Sequence, residues 1–101
     1  MFVHHVFFWL REPDNRADLD RLVEGLNALS KVPTIRMHHI GVPAETRRDV
    51  IDSGYSVSWL TLFDEAEGQD TYQTHPIHLE FVETCSSLWS KVVVYDSTDR
   101  G

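Results

Sequence analysis

A chain of 101 residues that is 42% hydrophobic and 25% charged has the apolar content of a folded protein and the length of one domain, so the expected unit is a single domain over residues 1–101. The formal charge of −7, with Arg47-Arg48 as the one adjacent basic pair and Asp49 directly after it, argues against a nucleic-acid partner, which needs clustered Lys and Arg to neutralise phosphates. No apolar run approaches the ~20 residues of a membrane-spanning helix, the start does not read as a secretory signal, and Cys85 is the single cysteine, so the expectation is a cytoplasmic protein with no membrane partner, disulfide or structural zinc.

Met1 to Arg11 reads as a strand, with Val3, His5, Phe7 and Trp9 on one face and His4, Val6, Phe8 and Leu10 on the other. Pro13, Asp14 and Asn15 stop it. Leu19, Leu22, Val23, Leu26 and Leu29 then recur at helical spacing and predict an amphipathic helix that ends before Pro33. Thr34 to Val42 predicts a second strand with His38 and His39 on opposite faces, and Pro43 to Ser53 a solvated loop. In the third strand, Tyr55 to Phe63, Val57, Trp59, Thr61 and Phe63 alternate with Ser56, Ser58, Leu60 and Leu62. Asp64 and Glu67 have capping-box spacing for a short helix reaching about Thr74. Pro76 suits the first turn of another helix, on which Leu79, Val82, Ser86 and Trp89 share a face, with Cys85 and Leu88 beside it. Val92 to Tyr95 makes a fourth strand, and Asp96 to Gly101 a polar tail expected to fray.

Two β-α-β halves in this order predict an α+β, ferredoxin-like fold: a four-stranded antiparallel sheet with helices on one face. Phe7, Trp9, Trp59 and Phe63 alternate with Phe8, Leu10, Leu60 and Leu62, so both sheet faces are rich in apolar side chains. Leaving one bare would expose roughly several hundred Å² of apolar surface, a size that marks an association site. A homodimer with the two sheets face to face, a dimeric α/β barrel, is therefore predicted.

All six histidines come in close pairs: His4 and His5, His38 and His39, His75 and His78. For any one of them the plain reading is a core or surface histidine, and His38 and His39 are left there. The segment Tyr72-Gln73-Thr74-His75-Pro76-Ile77-His78 brings a phenol and two imidazoles together around a proline that breaks the helix. Such a break leaves side chains and free amides facing a pocket; the alternative is that His75 caps the following helix and Tyr72 packs. Pro76 also interrupts the regular helix that would set His75 and His78 on one side, and Glu80 is the nearby carboxylate, so no metal is expected. No haem or other cofactor is expected either.

The chain resembles the stress-responsive dimeric α/β-barrel, or Dabb, family across nearly its whole length. The resemblance is carried by His5 in the first strand, Gly54-Tyr55, Tyr72, the His75-Pro76-x-His78 motif, Trp89 and the Val92 to Asp96 strand. It implies a ferredoxin-like protomer, a barrel-like homodimer and a stress-response association. Most members of the family have no defined activity, while one plant branch consists of cofactor-free polyketide cyclases. The resemblance to that branch implies that Tyr72 and His78 carry acid-base chemistry, with His5 in the same cavity. Val57 stands where the cyclase branch has a third-strand histidine, so pocket polarity differs and substrate identity does not transfer.

Two functional readings follow. In the first, the barrel holds a small apolar or carbonyl-containing ligand against His75, Phe7, Trp9, Val57 and Trp59. In the second, the protein is a cofactor-free cyclase-like or lyase-type catalyst, with His78 as general base, Tyr72 as hydrogen-bond donor to an enolate or oxyanion, and His5 and His75 orienting the substrate.

Overall fold

The computed structural model describes residues 1–101. In chain order they form β1 (Phe2–Leu10), α1 (Arg16–Leu29), β2 (Met37–Gly41), β3 (Val57–Phe63), α2 (Ala66–Thr74), α3 (Pro76–Cys85), a 3-10 turn (Ser86–Leu88) and β4 (Trp89–Thr98). The strands make one antiparallel sheet in the order β2-β3-β1-β4. This is the predicted ferredoxin-like arrangement. The two strands with the richest apolar alternation, β1 and β3, take the centre, and the short β2 and the more polar β4 take the edges.

Register decides which side chains share a face. Val6 lies opposite Trp59, His4 opposite Thr61, and Phe8 opposite Val57. Directly opposed residues point the same way, so His4, Val6, Phe8 and Leu10 join Val57, Trp59, Thr61 and Phe63 beneath the helices, and all eight are buried. Val3, His5, Phe7 and Trp9 lie on the other face with Ser58, Leu60 and Leu62. Trp59 and Phe63 are thus on the opposite side of the sheet from Phe7 and Trp9.

The helix-side core closes with Leu22, Leu26 and Leu29 of α1, Tyr72 of α2, and Phe81 and Cys85 of α3. Fully burying a side chain of this size stabilises the fold by about 1.5–3 kcal/mol. The start of α1 is fixed by Asn15, whose side chain accepts from the Asp18 amide at 3.1 Å. At Pro76 the chain breaks between α2 and α3, and His75 caps α3 by accepting from the Ile77 amide at 3.1 Å.

Three local expectations are corrected. The N-cap of α2 is Glu65, with no side-chain cap bond; Asp64 instead accepts from Arg36 Nη1 at 2.7 Å, so the capping box does not form. Helix α3 buries Phe81 and Cys85 against α1 while Leu79 and Val82 remain exposed, and the 3-10 turn ends the helical phase before Trp89. Strand β4 runs on through Asp96 to Thr98, since β1 offers pairing partners as far as Phe2.

Candidate functional site

Beneath the helices, where β1, β3 and β4 meet α2 and α3, lies a cavity of about 140 Å³. Its polar rim is His4, Tyr72, Gln73 and His78, and its apolar walls include Trp59, Phe81 and Trp89. Tyr72 sits at the middle. Its ring is 5.6 Å from that of His4 and 4.7 Å from that of His78, centroid to centroid. The Trp59 Nε1–H donates to the Tyr72 hydroxyl at 3.1 Å, which leaves the phenol's own hydrogen free to be donated elsewhere.

His4 and Asp96 are a cross-strand pair of β1 and β4, and His4 Nδ1 lies 2.6 Å from Asp96 Oδ1. The carboxylate favours the tautomer with hydrogen on Nδ1, which makes Nε2 an acceptor. His78 comes from the first turn of α3, and its buried Nδ1 has no hydrogen-bond partner in the protein. Burial lowers the His78 pKa from its ordinary value, the nearby His4 ring adds to that, and the Gln73 backbone works in the opposite direction. Burial pushes the Tyr72 phenol up to about 12, partly offset by the hydrogen bond from Trp59. At neutral pH the cavity therefore holds a neutral imidazole that can accept a proton beside a phenol that can donate a hydrogen bond.

The structure brings Tyr72, His78 and Trp59 together and leaves the other named residues outside. His5 does not enter the cavity. It lies on the opposite sheet face, with Nε2 2.8 Å from Ser58 Oγ, because successive strand residues alternate; His4 occupies the place expected of His5. Phe7 and Trp9 are also on that other face, where they surround a separate hollow with Asp52, Tyr55 and Tyr95. Val57 is fully buried in the core and does not line the cavity. His75 spends Nδ1 on the α3 cap. His38 remains an exposed residue of β2, with its ring 5.6 Å from that of Trp59.

Asp96 and Gln73 are site residues that the sequence reading does not single out, Asp96 because a polar C-terminal stretch reads as a tail. His4 alternates with Val6, Phe8 and Leu10, but His5 alternates in the same way with Val3, Phe7 and Trp9, so the pattern did not choose between them. No set of three or more His, Cys, Asp or Glu side chains converges in a metal-holding arrangement.

Residues 2–99 match the family described as the stress-responsive A/B barrel domain. The chain belongs to the Dabb family. A curated relative, a stress-response A/B barrel domain-containing protein of Arabidopsis thaliana, is 25% identical over 79 residues, covering 77% of this chain and 70% of its own. Among solved structures, a Dabb family protein with a ferredoxin-like fold from Mesorhizobium loti superposes with a TM-score of 0.81 at 20% identity, covering 99% of this chain and 97% of the other. A hydroxynitrile lyase from Passiflora edulis gives 0.78 at 17% identity, covering 99% and 94%. A dimeric ferredoxin-like protein of unknown function from Thermobifida fusca gives 0.76 at 15%, covering 95% and 88%. At these identities the likeness establishes the shared fold. No helix of this Dabb domain is long and apolar enough to cross a membrane.

Proposed function

We propose that this Dabb domain is a cofactor-free acid-base catalyst acting on a small apolar carbonyl compound or its adduct, in the cavity beneath its helices. The observation that carries the reading is His78: a buried ring nitrogen without a partner, held neutral, next to a phenol with a free hydrogen. Natural proteins pair nearly all buried polar atoms, and an unpaired one calls for a functional explanation. A purely ligand-holding pocket would gain from an apolar residue at this position.

In the reaction His78 takes the proton from the carbon next to a carbonyl, giving an enolate, or from the hydroxyl of a cyanohydrin, whose C–CN bond then breaks to leave the carbonyl while the departing cyanide takes the proton back from His78. The Tyr72 O–H donates to the oxygen that gains negative charge, and Trp59 strengthens that donation by stabilising charge on the phenol oxygen. His4, oriented by Asp96, offers Nε2 to a second donor of the substrate. The volume sets the size, since an apolar cavity of about 150 Å³ holds benzene. A ring bearing a carbonyl fits, with its remainder emerging over Val92 and Val94, which line the cavity and are partly exposed. The fold neighbour named a hydroxynitrile lyase agrees with lyase-type chemistry on this scaffold.

Acetophenone in D₂O tests proton abstraction through loss of its methyl signal in the NMR spectrum, and mandelonitrile tests adduct cleavage through release of benzaldehyde. The expected result is acceleration of at least one reaction that falls about 100-fold or more in His78→Phe and in Tyr72→Phe. The rate should hold through the ordinary histidine range and fall only at lower pH, because burial lowers the His78 pKa and the ring stays neutral, and able to accept, until below it. No acceleration of either probe, or full activity in both variants, overturns the assignment.

The same protein pairs with a second copy through the sheet face opposite the helices. Met37, Leu60, Leu62, Val3 and Tyr95 lie there with no helix or strand of this chain across them, Tyr55 of the β2–β3 loop packs on Phe7 at the end of the face, and the dimeric fold neighbour agrees with that arrangement. Two sheets packed face to face bury such a surface at a separation of about 10 Å.

A further inference from the structure

The uncovered sheet face is apolar at its margins and imidazole-bearing at its centre. Strand register aligns His39, Leu60, His5 and Tyr95 in one row across β2, β3, β1 and β4. The row on one side of it is Met37, Leu62, Val3 and Ser97, and on the other Gly41, Ser58, Phe7 and Val93. Both imidazoles lean toward the second of these. His5 Nε2 reaches Ser58 Oγ at 2.8 Å, and the His39 ring lies against Gly41, where an added Cβ would stand 2.8 Å from Cε1. Glycine is what allows that ring to lie down on the sheet.

We propose that pairing through this face is acid-sensitive: two copies associate while His5 and His39 are neutral and separate when these imidazoles are protonated. The inference rests on the face-to-face dimer proposed above and adds its regulation. The groups that surround the two rings offer no compensating charge. Strand β1 contributes His5 and, through the thickness of the sheet, His4; β2 contributes His39; β3 contributes the uncharged Ser58; β4 contributes Tyr95 and Lys91. The charged groups of this side lie at its two ends, Asp52 beside Trp9 and Tyr55 with Lys91 over the Trp9 ring at one, and Asp99 paired with the Met1 amino group at 2.8 Å at the other. A second copy brings the same set.

A proton on His5 would therefore sit in a buried layer beside other imidazoles, without a carboxylate against it. Burial disfavours the charged form of histidine. Even in the single chain, burial first, then His39, then His4 lower the His5 pKa. Covering the face extends the same effect to both copies, so the dimer binds fewer protons than two separated chains, and acid drives dissociation by linkage.

Whole-molecule charge predicts the reverse. Each copy carries −7, and protonating six histidines would remove most of it, so long-range repulsion would fall and association tighten. The direction of the pH response thus separates the local imidazole layer from global electrostatics.

Sedimentation velocity on a dilution series of the full chain tests this, at about pH 8 and about pH 5.5, either side of the ordinary histidine pKa. Circular dichroism at each pH keeps the comparison to folded protein. A monomer at the higher pH overturns the dimer reading itself. With a dimer there, the expected result is a dissociation constant at least about tenfold larger at the lower pH, as the combined burial shifts of the histidines of two copies would produce. The His5→Gln/His39→Gln double variant keeps size and hydrogen bonding but cannot be protonated, and its constant should change less than about threefold. His39→Gln alone, at an exposed edge-strand position, should show an intermediate response if the double variant fails to fold. An unchanged or tighter wild-type dimer in acid, or an undiminished acid response in the folded variants, overturns the proposal.

Discussion

Tyr72 links the polar rings of the cavity to the core. It meets His4 and His78 on one side and Phe63, at 5.4 Å, on the other, while its hydroxyl accepts from Trp59. The stability cost of the site falls on His78. Its folded-state pKa is lowered, so the unfolded chain takes up the proton first as pH falls below about 6.5, and the native state loses stability from there down to the folded-state pKa. His78→Phe removes both the titration and the unpaired nitrogen. That variant should lose activity yet exceed the wild type in urea-unfolding stability by about 1–2 kcal/mol near pH 5. The margin should shrink near pH 8, where the wild-type ring is neutral. Both measurements belong at one protein concentration, because dimerisation would add to apparent stability. A wild-type advantage at both pH values would mean that His78 is held by a partner and is not poised as a base.

Which histidine faces the cavity was not legible from alternation, since His4 shares a parity with Val6, Phe8 and Leu10 while His5 shares one with the equally apolar Val3, Phe7 and Trp9. The family likeness pointed to His5, one position along, and the packing of the His4 and Thr61 face beneath the helices puts His5 on the other side. Asp96 was not legible either. Its role depends on pairing between residues 92 apart, which no local pattern in a polar stretch reports.

Among the elements, α1 and α3 approach each other closely at Gly25. An added Cβ there would lie 2.5 Å from Cys85 Sγ and 3.3 Å from Phe81 Cδ1, so glycine is required for the helices to pack at this separation. Gly25→Ala gains up to about 1 kcal/mol of helix propensity but overpacks a buried contact at a cost of about 1–3 kcal/mol. The expected outcome is a net loss, read as a lower urea midpoint. Cys85→Ala should restore it in the double variant beyond the sum of the single effects, because removing Sγ makes room for the new methyl. Additive effects would show that the contact is relieved by helix movement. The spacing of Leu22, Leu26 and Leu29 identified the buried stripe of α1 because polar residues separate its apolar ones. In α3 apolar residues at 77, 79, 81, 82 and 85 lie around most of the helix, so periodicity could not select Phe81 and Cys85 over Leu79 and Val82. Contact with α1 made that choice.

For the whole molecule, the two sheet faces divide two tasks. The helix-side face holds the core and the cavity, and the open face is left for a second copy. Apolar alternation on both faces of β1 was enough to anticipate a second layer, whereas which aromatic belonged to which layer depended on the β1–β3 register. Leu60 lies at the centre of the open face, between His39 and His5 in their row, and its side chain points away from the helix-side core. Leu60→Lys therefore places a charge in the proposed interface without entering the cavity. Burying an unpaired ammonium costs several kcal/mol, enough to shift association by about a thousandfold or more. The expected product is a folded monomer in sedimentation, with the near-ultraviolet circular dichroism of buried Trp59 and Tyr72 unchanged. If Leu60→Lys stayed dimeric at micromolar concentration, the copies would have to meet through another surface, such as the free edge of β4. Unfolding of the variant would show instead that the helix-side core cannot stand without its partner. The near-ultraviolet signal distinguishes that outcome from simple dissociation, because only dissociation of a folded chain preserves it.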